Sequence, residues 1–135
     1  MRTRFLMLLI SAIAIPLQAA TIRVPQNQPT IQSGINAAVN GDTVLVGPGI
    51  YRGAGNFDLE LFGKVIVVKG VHRDSVVINC EGSLSSNRRG FYVHQGEDSL
   101  TVISDLTIRN GVGELIQSEG FTFGGNTVRW LESKM

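Results

Sequence analysis

The chain has 135 residues, 43% of them hydrophobic, with 16 glycines, one cysteine and a formal net charge of +1 at pH 7. That length allows one domain at most, and many glycines beside few aromatics argue against a helical bundle. A near-neutral chain without Lys and Arg runs interleaved with aromatics offers no phosphate-binding stripe, which argues against nucleic acid as a partner.

The first twenty residues, MRTRFLMLLISAIAIPLQAA, place Arg2 and Arg4 before an uncharged apolar run from Phe5 to Ile15. Pro16 and the small pair Ala19 and Ala20 follow, which is the charged, apolar and cleavable order of a secretory signal peptide. The run is shorter than the roughly 20 residues of a spanning helix. The expectation is a protein exported to the medium or the cell surface, with no stable membrane span once residues 1–20 are removed. Leu17 or Gln18 stands at the third position before the cut, so cleavage after Ala19 and after Ala20 both remain open. Removal takes two arginines and leaves ten basic against 11 acidic residues. Cys80, the one thiol, forms neither an internal disulfide nor a thiolate metal cluster, and reads as a small buried hydrophobe.

TIRV, Thr21 to Val24, predicts a short strand closed by Pro25. A helix is predicted over Thr30 to Asn40. Ile31, Ile35 and Val39 recur every four residues, Thr30 caps the start and Asn40-Gly41 stops the end. Gly34 weakens that helix, so its stability must come from laying the apolar stripe on a core. From Gly41 the period shortens. TVLV (43–46), FDLEL (57–61), VIVV (65–68), SVVIN (75–79), GFYVH (90–94), LTVI (100–103) and LTIRN (106–110) are short β-prone runs, most bounded by Gly, Asn, Asp or Ser. Gly47-Pro48-Gly49 reads as a corner between two strand faces, because the β-prone pattern resumes at Ile50-Tyr51 without a tight hairpin turn.

The runs recur at longer range, from Leu45 to Val67, Val67 to Tyr92 and Val77 to Val102, within the spacing of stacked repeat architectures. Without helical patterns to make crossovers, parallel strands can be kept only by winding them into a parallel β-helix. The predicted helix then plugs the open end, with Ile31, Ile35 and Val39 facing the core. A sandwich of antiparallel strands is the alternative, and the lack of two-residue hairpin turns counts against it.

TIQSGINAA, GDTVLVGPGIY, VIVVKGV, SVVIN and SDLTIRNG, spanning about Thr30 to Gly111, together resemble the amino-terminal coils of the pectin-lyase-like superfamily of right-handed parallel β-helices. The resemblance implies an all-β fold with a short amino-terminal capping helix over 21–111. Residues 112–135 form a weakly matching tail with the strand runs FTF and TVRW, as in a fragment or truncated reading frame. Pectinesterases of the superfamily show a similar opening, but where they carry a glutamate two residues after the corner tyrosine this chain has Gly53. Nothing from Gly111 to Met135 matches their catalytic motifs. The chain looks closer to exported bacterial β-helix repeat proteins, which implies a non-catalytic surface or secreted scaffold contacting polysaccharide or cell-surface components. The alternative is the opening portion of a polysaccharide-active lyase, esterase or hydrolase.

No residue is assigned to catalysis, to a cofactor or to a metal. Asp58 and Glu60 alternate with Phe57, Leu59 and Leu61, which points both carboxylates outward from one strand face; two carboxylates fall short of the six or so oxygens that Ca²⁺ takes. His72 and His94 lack metal-ligand spacing. Ser83, Ser85 and Ser86 occupy a loop without a nucleophile elbow. Arg88 and Arg89 suit the carboxylate of a uronate, but the favoured reading is an ordinary solvated loop in which they need no such role. Asn79 and Asn110 precede turns, where a stacked asparagine satisfies backbone groups. Tyr51 and Trp130 are isolated, too few for a sugar-stacking platform.

Overall fold

The structure is a computed structural model that describes residues 18–83, 85–97, 99–112, 122–123 and 128–131, the last two segments as backbone. The apolar leader and most of the 112–135 tail lie outside the described residues. Among the described residues the regular structure is mostly strand, with one short helix. Its elements are β1 (Thr21–Val24), α1 (Ile31–Ala37), β2 (Thr43–Val46), β3 (Gly49–Tyr51), β4 (Leu59–Glu60), β5 (Val67–Gly70), β6 (Val76–Asn79), β7 (Phe91–Tyr92), β8 (Val102–Ser104), β9 (Leu106–Arg109), β10 (Thr122–Phe123) and β11 (Val128–Leu131).

These strands form three sheets: a first in the order β1-β2-β5-β8-β10, a second in the order β11-β9-β6-β3, and a third of β4 and β7. Every pairing between them is parallel. From β2 to β9 the chain visits the sheets in rotation, first, second, third, and then repeats the visit. Gly47-Pro48-Gly49 therefore joins strands of two different sheets, as a corner and not as a hairpin. Tyr51 locks that corner: its buried hydroxyl donates to the Gly47 carbonyl at 2.8 Å.

Inward side chains stack in columns along the pairing direction. Val44, Val68 and Ile103 are successive register partners in the first sheet, Tyr51, Ile78 and Ile108 in the second, Leu59 and Phe91 in the third, and all are buried. Each fully buried aliphatic contributes about 1.5–3 kcal/mol, so strands too short to stand alone are held by the columns they share. Cys80 is fully buried among them, as its sequence context predicts.

Helix α1 lies against β1, β2 and β4. Thr30 caps it with a reciprocal box, Ser33 N–H donating to Thr30 Oγ1 at 3.2 Å and Thr30 N–H to Ser33 Oγ at 3.1 Å. Gly34 has a packing reason, because a Cβ there would stand 2.9 Å from Val44 Cγ1 and 3.0 Å from Val24 Cγ2. The helix is shorter than the periodicity predicts. It ends at Ala37, Ala38 turns inward, and Val39, expected to face the core, is 54% exposed. The cause is a competing set of bonds. The Lys64 ammonium donates to the Ile35, Asn36 and Ala38 carbonyls at 2.8, 3.0 and 2.8 Å, while the Asp42 carboxylate holds the Val39 N–H at 2.9 Å.

The register also corrects the expected repeat. Val67 pairs with Val102, and Val77 with Thr107, while Tyr92 pairs with Glu60 in the third sheet. The stretch 81–90, with its Ser83 to Ser86 bridge, lengthens the second rotation.

Candidate functional site

The third sheet carries the most concentrated polar and aromatic chemistry on an outward face. In β4 and β7, Leu59 pairs with Phe91 and both are buried, so by strand alternation Glu60 and its partner Tyr92 face outward, with His94 two residues beyond. The Tyr92 and His94 ring centroids are 3.8 Å apart, with an interplanar angle of 33°. The Arg89 guanidinium lies 4.6 Å from the Tyr92 ring centroid, and that of Arg88 4.7 Å from Phe57. Each such cation–π contact contributes on the order of 0.5–1 kcal/mol at a surface, enough to favour one rotamer.

Asp58 sets the corner from which this face starts. Its backbone N–H donates to the Arg89 carbonyl at 2.6 Å and its Oδ1 accepts the Arg89 N–H at 2.7 Å. Asp58 adopts φ 49, so it stands outside the strand, and the expected pair of carboxylates on one strand face does not form. Glu60 alone belongs to β4. The outer edge of β4 is closed by α1: the Gln32 carboxamide accepts from Glu60 N–H at 2.9 Å and donates to the Glu60 carbonyl at 3.0 Å, as a neighbouring strand would.

The other sequence candidates are dispersed. His72 Nδ1 accepts from Asp74 N–H at 3.3 Å in a corner. Ser83 and Ser85 hydroxyls meet at 3.1 Å within the loop closed by paired Ser83 and Ser86 backbone bonds. Asn110 Nδ2 donates to Asn79 Oδ1 at 2.9 Å, and that oxygen also accepts from Glu81 N–H at 3.2 Å, which is the stacked corner role expected of the two asparagines. Trp130 stands in register with Ile108 in β11. Among the described residues, no three His, Cys, Asp or Glu side chains gather as a metal-binding group. No helix among them is long and apolar enough to cross a membrane.

Three buried groups have shifted acidities that follow from their surroundings, and for the Tyr51 phenol burial alone raises the pKa above its ordinary value. Backbone donors from Val39 and Ala20 hold the Asp42 carboxyl below its ordinary value. Burial, with a smaller contribution from the Asp58 charge, pushes the Cys80 thiol up to about 12, which holds it as the protonated thiol at neutral pH.

The Arg89, Tyr92 and His94 stack is the feature that sequence reading missed. The separation of Tyr92 and His94 by two residues within the β-prone run 90–94 is a readable signal, but the position of Arg89 depends on the Asp58 corner. No family model matches the chain, and neither the curated proteins nor the solved structures offer a match.

Proposed function

We propose that this chain is an exported, non-catalytic scaffold of the right-handed parallel β-helix type, akin to the pectin-lyase-like superfamily, and that it contacts polysaccharide through the outer face of β4 and β7. The rotation of strands through three parallel sheets supports the solenoid reading, since each visit adds one hydrogen-bonded layer to all three columns. The observation that carries the contact is the stack of Arg89, Tyr92 and His94 beside Glu60. The His94 ring face turned away from Tyr92 takes the apolar face of a pyranose, Glu60 accepts from hydroxyl groups, and Arg89 presents a guanidinium fork to a uronate carboxylate.

The test is co-sedimentation of the purified protein with insoluble or cross-linked uronans and neutral glucans. Retention by a uronan, reduced about tenfold in Arg89→Gln and in Tyr92→Ala, is the expected result, about 1.4 kcal/mol for each contact. Failure of every polysaccharide to retain the protein refutes the contact. Appearance of unsaturated ends or of methanol in the incubation would replace the scaffold by an enzyme.

A further inference from the structure

At the start of β1, Ala20 N–H donates to Asp42 Oδ1 at 2.8 Å, and the Ala20 carbonyl accepts from Thr43 N–H at 2.9 Å. Ala20 thus contributes a rung to the pairing of β1 with β2 although it lies outside the strand proper. Asp42 is 5% exposed, and its second oxygen accepts from Val39 N–H. No Lys or Arg side chain forms an ion pair with it among the described residues. These two amide donors already favour the charged form, and a cation placed where the Ala20 amide now stands adds a charge-assisted hydrogen bond to it.

We infer that the exported chain is processed between Ala19 and Ala20, and that the new α-ammonium of Ala20 is the cation the buried Asp42 carboxylate is built to receive. The inference rests on the export reading above. In the cleavage, a leader peptidase directs water onto the Ala19 carbonyl carbon and the C–N bond to Ala20 breaks. The hydroxyl stays on Ala19 as its new carboxyl group, and the amine takes a proton to become the ammonium. The ammonium inherits the 2.8 Å contact, and a neutral hydrogen bond becomes a charge-assisted one. Cleavage one residue later, after Ala20, would discard both this bond and the carbonyl that accepts from Thr43. The two sites are equal by the small-residue rule and unequal in the fold they leave.

The experiment expresses the full chain in a secreting host and determines the exported product by intact mass and amino-terminal sequencing. Ala-Thr-Ile-Arg is the expected start. An exported product beginning at Thr21, or upstream of Ala20, overturns the inference and leaves export standing. An unprocessed chain retained inside the cell overturns the export reading itself. A second measurement compares the chain beginning at Ala20 with its amino-acetylated form, each with and without Asp42→Asn. The free amine is expected to melt higher than the acetylated chain. Pairing raises the folded pKa of the ammonium above its ordinary value of roughly 7.7–8, so the advantage is full below that value and fades as pH rises through the folded one. In Asp42→Asn the acetylation effect should vanish. Equal melting of the free and acetylated wild-type chains would overturn the inference.

Discussion

Replacing Gly70 by alanine tests how closely successive strands of the first sheet approach at their carboxyl ends. A Cβ at Gly70 would stand 2.0 Å from the Asp105 carbonyl oxygen, 2.9 Å from its carbon and 3.1 Å from Val76 Cβ. Carbon and oxygen without a covalent bond approach to about 3.3 Å, so relief requires a displacement of about 1.3 Å. The obstacle is main chain. Asp105 sits at φ 55 between β8 and β9, so moving it drags strands paired with β5 on one side and β6 on the other. Overpacked sites cost typically 1–3 kcal/mol even where side chains can yield, which places this one at about 3 kcal/mol or above. For a domain of this size that is a fall of roughly 10 °C in Tm. Gly41 provides the comparison, since its φ of 92 strains any side chain but nothing lies within 4 Å of the added carbon. Strain alone is about 1–2 kcal/mol. Thermal and urea unfolding followed by circular dichroism measure both variants. Gly70→Ala melting at or above Gly41→Ala would refute the close approach and the stacking it implies.

Lys64→Met keeps most of the side-chain stem but removes three bonds to the end of α1, and is expected to cost about 1.5–3 kcal/mol in urea unfolding; a loss below about 0.5 kcal/mol would show that water replaces the ammonium without penalty. Asp42 has a folded pKa below its ordinary carboxylate value, so its stabilisation is present above that ordinary value and lost as pH falls through the folded one. Asp42→Asn should therefore flatten the acid limb of a Tm against pH curve, and an unchanged limb would remove Asp42 from the account. The Cys80 thiol, fully buried and pushed up to about 12, should resist a disulfide reagent at pH 8 until denaturant is added. Rapid native labelling would place it outside the core.

Much of the fold is legible where local pattern and tertiary demand agree. Thr43 to Val46 alternates half-buried and buried residues as its β-branched sequence predicts, and Thr30 caps the helix. Legibility fails where a distant residue decides. Val39 continues the helical period of Ile31 and Ile35, yet the helix stops before it because Lys64 and Asp42 take the groups that another turn would need. The strands predicted over 57–61 and 90–94 shrink to Leu59–Glu60 and Phe91–Tyr92. On the first, Asp58 and Phe62 take φ 49 and 56, a backbone state that apolar alternation does not encode for non-glycine residues.

The outward face of the third sheet depends on the same distant decisions. Tyr92 and His94 are brought together by their ring contact just past β7, but Arg89 covers Tyr92 only because reciprocal bonds with Asp58 turn the chain there. Glu60 reaches that face on a strand whose edge is held by Gln32, so helix α1 closes the end of the stack and fixes the backbone behind the polar surface at once. A two-stranded sheet is marginal alone. Here the free edge of β4 is met by a side-chain amide, so the polar face depends on the helix that carries Gln32.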